Sequence, residues 1–178
     1  IAKARAHEGV EIGGVVGTVM TNMAMEIALK EQGVDFCRAK VGDRYVLEQL
    51  HQRGWLIGGE ASGHILCMDK HNTGDGIISA LQVLAALQTL NQDLATVCAD
   101  WQPYPQTMIN VRIKKGQNWQ DASKEALAEV EKELEDKGRV VLRASGTEPV
   151  VRVMVEAKQA DWAKKGAEKI AAAIQGQK

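Results

Sequence analysis

The sequence predicts an α/β protein of two small domains. The first is a mixed α/β sheet with flanking helices, and the second a small antiparallel or mixed sheet with helices on one face. Three observations lead there. Over residues 1–100, short apolar runs of strand length alternate with stretches of helical periodicity. Composition then shifts at 99–105, where Asp100, Gln102, Pro103 and Pro105 cluster and the prolines stop any regular element. This sets the expected boundary, with domains at 1–100 and 101–178. Beyond it the order is strand, helix, strand, strand, helix, the pattern of helices packed on one side of a small sheet.

The elements follow in order. The first residues read as the tail of a helix ending at Gly9 and, lacking an initiator Met, as part of a longer protein. Gly14 to Met20 reads as a strand. Thr21 or Asn22 can cap the next helix, which Gly33 closes. Phe36 to Val41 is a strand, and Asp43 is the expected cap of a helix ending at Gly54. Trp55–Ile57 and Ile65–Met68 read as strands around a glycine-rich loop. Asp75 caps an apolar helix, Ile77 to Leu90, whose leucines and alanines predict burial on more than one side. Thr107 to Ile113 is a strand. Lys124 to Lys137 is a helix with Leu127, Val130 and Leu134 inward, an acidic wet face and Gly138 as its stop. Val140–Leu142 and Val150–Val155 are strands. In the last helix, Asp161 to Ile174, Ala163, Ala167, Ile170 and Ile174 share a face.

Composition narrows the functional classes. The 178 residues are 45% hydrophobic and 25% charged, with a formal net charge of −1, so the basic excess of a nucleic-acid binder is missing. No apolar run is long enough to span a bilayer, and no secretory signal is evident. Cys37, Cys67 and Cys98 are odd in number and widely spaced. They read as buried thiols of a reducing, cytoplasmic compartment.

Two loops carry the chemistry. Arg143-Ala-Ser-Gly-Thr-Glu-Pro149 lies between two strands. Arg143 offers a planar fork of donors for phosphate oxygens, Ser145 and Thr147 add hydroxyls, and Gly146 is expected to turn the backbone at positive φ. An ordinary polar hairpin is the alternative. Gly58-Gly-Glu-Ala-Ser-Gly-His64 also lies between strands. There Glu60 can accept from neighbouring sugar hydroxyls, Ser62 can donate and accept, and His64 can bond a hydroxyl or move a proton. The alternative is a glycine turn with Glu60 in solvent and His64 structural. Lys40 and Arg44 are further candidates for anion contact beside a helix start, or plain surface cations. Asp75, one acid between glycines, is too little for Mg²⁺ and reads as a cap.

These loops, in this order, resemble the C-terminal half of the α-D-phosphohexomutase superfamily. The matching stretches are Gly14-Val-Val-Gly-Thr-Val-Met-Thr-Asn22, Ala39-Lys-Val-Gly-Asp-Arg-Tyr-Val46, Gly59-Glu-Ala-Ser-Gly-His64, Thr73-Gly-Asp-Gly-Ile77, and Arg143 to Pro149 with Arg152-Val-Met-Val-Glu156. The second and last look most like the branch acting on glucosamine phosphates. Ala61 departs from the Gln or Asn more usual there.

The resemblance implies a four-domain enzyme around one cleft. A serine of the first domain carries the phosphoryl group and an Asp-rich loop of the second holds Mg²⁺. This chain would be the third domain, without its beginning, and the fourth. It implies interconversion of glucosamine 6-phosphate and glucosamine 1-phosphate through a phosphoserine and a bisphosphorylated sugar, with Mg²⁺ and a bisphosphorylated hexosamine activator as cofactors. Sugar contact would fall to Glu60, Ser62 and His64, and phosphate contact to Arg143, Ser145, Gly146, Thr147 and Arg152. No catalytic residue or metal ligand is expected in the chain, which alone would be inactive. Its expected partners are a sugar phosphate and the upstream domains, not nucleic acid or membrane. A phosphomannomutase or phosphoglucomutase would use the same loops. A non-catalytic sugar-phosphate-binding module is the reading of another class.

Overall fold

A computed structural model describes residues 1–99, 101–114, 116–146 and 148–176. The chain divides into two compact units, Ile1–Gln102 and Pro103–Lys178.

The first unit runs α1 (Ala2–His7), β1 (Gly14–Thr18), α2 (Met23–Glu31), β2 (Asp35–Ala39), α3 (Asp43–Arg53), β3 (Ile57–Gly59), β4 (Ile65–Cys67), α4 (Gly76–Leu90) and α5 (Leu94–Ala99). Its sheet has the order β2-β1-β3-β4. β1 is parallel to β2 and β3, and β4 returns antiparallel to β3, so the sheet is mixed, as expected. Val16, Ala39, Val46, Leu50 and Leu66 form the core that seats α3 against the strands. Of the two candidate caps of α2, Asn22 accepts from the Ala24 amide at 3.0 Å. Asp75 caps α4 by accepting from Ile77 and Ile78, both at 2.9 Å.

Several expectations change here. The residue capping α3 is Gly42, and Asp43 is the first helical residue. The third strand starts at Ile57: the Trp55 amide closes the end of α3 by donating to Leu50 O at 3.0 Å, and its ring packs over Gly13 and Gly14. α4 is not buried on several sides: Ile77, Leu81 and Leu84 are 75%, 56% and 62% exposed, and only Ser79 and Ala86 are buried. Its small residues let one narrow stripe approach the strands and leave the leucines outside. Cys67 is buried, but Cys37 is half-buried and Cys98 exposed, so the three do not share one buried setting.

The second unit contains β5 (Gln106–Arg112), α6 (Trp119–Leu134), β6 (Gly138–Ala144), β7 (Val150–Ala157) and α7 (Ala160–Gly176). The order is β5-β7-β6 and both pairings are antiparallel. Val111, Val151, Val153 and Val155 turn one face of this sheet into a core shared with Val130 and Leu134 of α6 and with Ala163, Ala167, Ile170 and Ile174 of α7. Those four α7 residues are all 0% exposed, the face read from their spacing. Each buried isoleucine contributes on the order of 1.5–3 kcal/mol relative to exposure.

α6 starts earlier than expected, at Trp119, and is capped by Asn118, whose side chain accepts from the Asp121 amide. Gly138 opens β6 instead of merely ending the helix. A Cβ there would lie 2.5 Å from the Glu156 carbonyl oxygen, so only glycine permits this strand approach. Glu156 is fully buried yet satisfied: Arg139 Nε donates to it at 2.9 Å and Gln106 donates from β5. Among the described residues, no helix is long and apolar enough to cross a membrane.

Candidate functional site

In the first unit, the turn between β3 and β4 is closed by its own backbone. The Glu60 amide donates to His64 O at 2.9 Å and the Gly63 amide to Glu60 O at 3.0 Å. Gly63 sits at φ 98°. That closure brings the three expected sugar contacts together. Ser62 Oγ lies 3.1 Å from His64 Nδ1, a hydrogen bond whose direction depends on the tautomer. His64 Nδ1 is 3.9 Å from Glu60 Oε1.

Glu60 is not the solvent-borne carboxylate of a plain turn. Its side chain is only 8% exposed, and Oε2 accepts from the Gly42 amide at 2.9 Å. His64 and Ser62 are exposed, so the turn offers polar atoms to solvent over a buried carboxylate. Lys40 and Arg44 flank the Tyr45 ring, at 5.7 and 4.8 Å from its centroid. Arg44 also donates to the Tyr45 hydroxyl at 2.9 Å. Each cation is attracted to the ring while the two repel one another, so an anion arriving there meets positive charge already assembled. An open cavity of about 200 Å³ lies beside them, lined by Asp43, Arg44, Leu47, Leu66, Asn72, Thr73 and Gly74.

In the second unit, Arg143 and Arg152 are directly paired across β6 and β7. Val151 and Val153 face the helices, so the alternation of β7 puts Arg152, and with it Arg143, on the opposite sheet face. Asn110 of β5 pairs with Arg152 and joins them there. Like charges facing each other in a sheet repel. Both side chains are half-buried, and Arg152 Nε is buried with no hydrogen-bond partner among the described residues. Such a row can do one thing well: hold a polyanion through several N–H donors.

The hairpin that carries this row closes through the Ser145 amide, which donates to Val150 O at 2.9 Å. Gly146 departs from expectation. It lies outside the left-handed region, and a Cβ there would meet nothing within 4 Å. Its value is an open approach for a ligand, not a turn requirement. Thr147 falls outside the described residues.

Sequence reading missed three participants. Asn110 is a polar residue in an alternating strand, and only the register brings it beside Arg152. Tyr45 was recognisable as an aromatic directly after Arg44. The Gly42 amide had no side-chain signal at all. For metal binding, no group of three His, Cys, Asp or Glu stands together among the described residues, and Asp75 Oδ1 is engaged in capping α4.

Comparison with known proteins agrees with this division. Residues 1–104 match the family described as phosphoglucomutase/phosphomannomutase, alpha/beta/alpha domain III, and residues 108–173 match its C-terminal domain. The chain is 92% identical over 99% of its length to a phosphoglucosamine mutase of Neisseria subflava, and covers 40% of that protein. It is 67% identical over 98% of its length to one of Chromobacterium violaceum, covering 39% of it. The chain thus spans about 40% of the length of these relatives. A crystal structure of Aspergillus fumigatus N-acetylphosphoglucosamine mutase, in complex with GlcNAc-6P and magnesium, shares the fold at TM-score 0.74 and 20% identity, over 97% of this chain and 44% of that one. The chain therefore belongs to the phosphoglucomutase/phosphomannomutase family, of which it carries domain III and the C-terminal domain.

Proposed function

We propose that this chain is the sugar- and phosphate-binding part of a phosphoglucosamine mutase that interconverts glucosamine 6-phosphate and glucosamine 1-phosphate. The observation that carries the reading is the opposed pair Arg143 and Arg152 on the sheet face opposite the helix core. The names of the relatives sharing 92% identity give the pair its substrate.

The roles follow from chemistry. A mutase that shifts a phosphoryl group between O6 and O1 passes through a bisphosphorylated sugar, which turns around between the two transfers. The fixed phosphate must be held by groups indifferent to the carbon that bears it. Guanidinium N–H donors of Arg143 and Arg152, with the Ser145 hydroxyl, Thr147 and the open backbone at Gly146, read only oxygens and charge. Glu60 and Ser62 take the sugar hydroxyls, with His64 beside them. One carboxylate can accept from either of two hydroxyls that exchange places in the turn. Lys40 and Arg44 add positive charge to the entry of the anionic ester.

Phosphoryl transfer depends mainly on positioning and charge stabilisation. These residues supply positioning. The nucleophilic serine and the Mg²⁺ site belong to upstream sequence in this reading. We place the protein in the cytoplasm, where thiols such as exposed Cys98 stay reduced.

The test is an assay of the chain alone and of the chain joined to the upstream segment of the Neisseria subflava relative. The joined protein is expected to convert glucosamine 6-phosphate and the chain alone is not. Turnover by the chain alone, or none by the joined protein, contradicts the proposal.

A further inference from the structure

Glu60 is held from outside its own turn. The donor to its Oε2 is the main-chain N–H of Gly42, 18 residues away and 2.9 Å distant. Gly42 stands at φ 127° and ψ 131°, a conformation that L side chains rarely adopt. Its carbonyl is engaged separately, accepting from the amides of Tyr45 at 2.9 Å and Val46 at 3.3 Å. The first turn of α3 therefore fixes the peptide that follows the Gly42 Cα, and the peptide that precedes it directs its N–H to Glu60. The second carboxylate oxygen, Oε1, is left on the side of His64, 3.9 Å from its Nδ1.

From this we infer that Gly42 is a positioning residue for Glu60: its amide pins Oε2, so that Oε1 is the oxygen presented to a sugar hydroxyl. The inference rests on the reading of Glu60 as a sugar contact. A glutamate has several rotatable bonds, and fixing them before the ligand arrives removes an ordering cost from binding. The peptide donor suits this task because it cannot rotate away, as a lysine or serine could. It also ties the Lys40–Arg44 segment to the sugar turn.

The test replaces the Gly42 peptide N–H by an ester oxygen, through incorporation of glycolic acid at position 42. This deletes one donor, adds no atom and keeps the positive-φ freedom. The protein used is the chain joined to the upstream segment of the Neisseria subflava relative. The kcat/KM for glucosamine 6-phosphate is measured with and without the ester, each in the Glu60 and Glu60→Ala backgrounds. Inhibition by inorganic phosphate reports the phosphate contacts.

With Glu60 present, the ester is expected to lower kcat/KM about tenfold, the scale of one charged hydrogen bond, and to leave phosphate inhibition unchanged. In the Glu60→Ala background it should have less than about a twofold effect, because the residue it acts through is gone. Equal losses in both backgrounds, or no loss beside an intact Glu60, overturn the inference. If Glu60→Ala alone leaves kcat/KM unchanged, the sugar-contact reading falls first, and the inference with it. Should the ester protein fail to fold, Gly42→Ala, strained at this φ and forced to turn its N–H away, carries the same cycle.

Discussion

Arg143 of β6 and Arg152 of β7 face each other as direct cross-strand partners, on the side of the sheet opposite the core shared with α6 and α7. A folding sequence gains nothing from two guanidiniums in this register. Opposed like charges cost roughly 0.2–1 kcal/mol. In the proposed function a phosphate neutralises both.

This gives the first prediction. Arg143→Gln is expected to raise the stability of the ligand-free chain by a few tenths of a kcal/mol at low salt. The same change should weaken phosphate-ester binding by about 2–3 kcal/mol. Thermal melts with and without inorganic phosphate, together with calorimetric titration, measure both. Loss of stability with unchanged affinity would assign the pair a structural role.

A second prediction concerns pH. Burial acts to raise the Glu26 pKa, but hydrogen bonds from Lys30 and Arg38 outweigh it and hold the carboxyl below its ordinary value of 4.5. Arg38 Nη2 lies 2.8 Å from Glu26 Oε2. A carboxylate lowered in the folded state stabilises the protein above its unfolded pKa and loses that contribution as pH falls through the folded value. The melting-temperature gap between the natural chain and Glu26→Gln should therefore be full near pH 7 and shrink below about pH 4.5. A gap that stays constant down to acid pH would show that charge is not its source.

Gly138→Ala supplies a third. The new Cβ would sit 2.5 Å from the Glu156 carbonyl oxygen, a backbone atom with little room to move. Overpacking of this kind costs on the order of 1–3 kcal/mol. Urea unfolding measures it. A neutral outcome would mean that β6 and β7 are not paired as described.

The fourth contrasts two helices. Leu84→Gln on α4, at 62% exposure, should change the stability of this chain by less than about 0.5 kcal/mol. Ile174→Ala on α7, at 0% exposure, should cost about 2–5 kcal/mol. Similar costs at both positions would restore the multi-sided burial that the apolar sequence of α4 suggests.

That contrast also shows what a sequence can and cannot reveal. The spacing of Ala163, Ala167, Ile170 and Ile174 defines the buried stripe of α7, because Asp161, Lys164, Lys165, Glu168, Lys169 and Gln175 mark the side that stays wet. α4 is apolar almost throughout, so its sequence contains no record of which side meets the sheet. Asn22 and Asp75 are legible as caps because their side chains do the capping. The cap of α3 is a glycine whose contribution is its backbone, and the neighbouring Asp43 draws attention away. Gly138 follows a helix and reads as its stop, yet what demands glycine there is a strand that arrives eighteen residues later in the sequence, at Glu156. α5 went unseen, for each of its residues is exposed and no periodic face exists.

The candidate site divides in the same way. Glu60, Ser62, His64, Arg143 and Ser145 can be put forward from sequence because residue type and glycine spacing mark a candidate anion- or hydroxyl-binding loop. Asn110 beside Arg152, and the main-chain donor at Gly42, depend on strand register and on a tertiary hydrogen bond, neither of which a local pattern encodes.

The most direct measurement is the kcat/KM for glucosamine 6-phosphate of the protein completed with the upstream segment of its Neisseria relative, compared with its Glu60→Ala and Arg143→Ala variants. If these loops grip the hexose ester, each substitution lowers kcat/KM at least about tenfold while the melting temperature stays close to that of the parent. Two variants that turn over the substrate as fast as the parent would contradict the account.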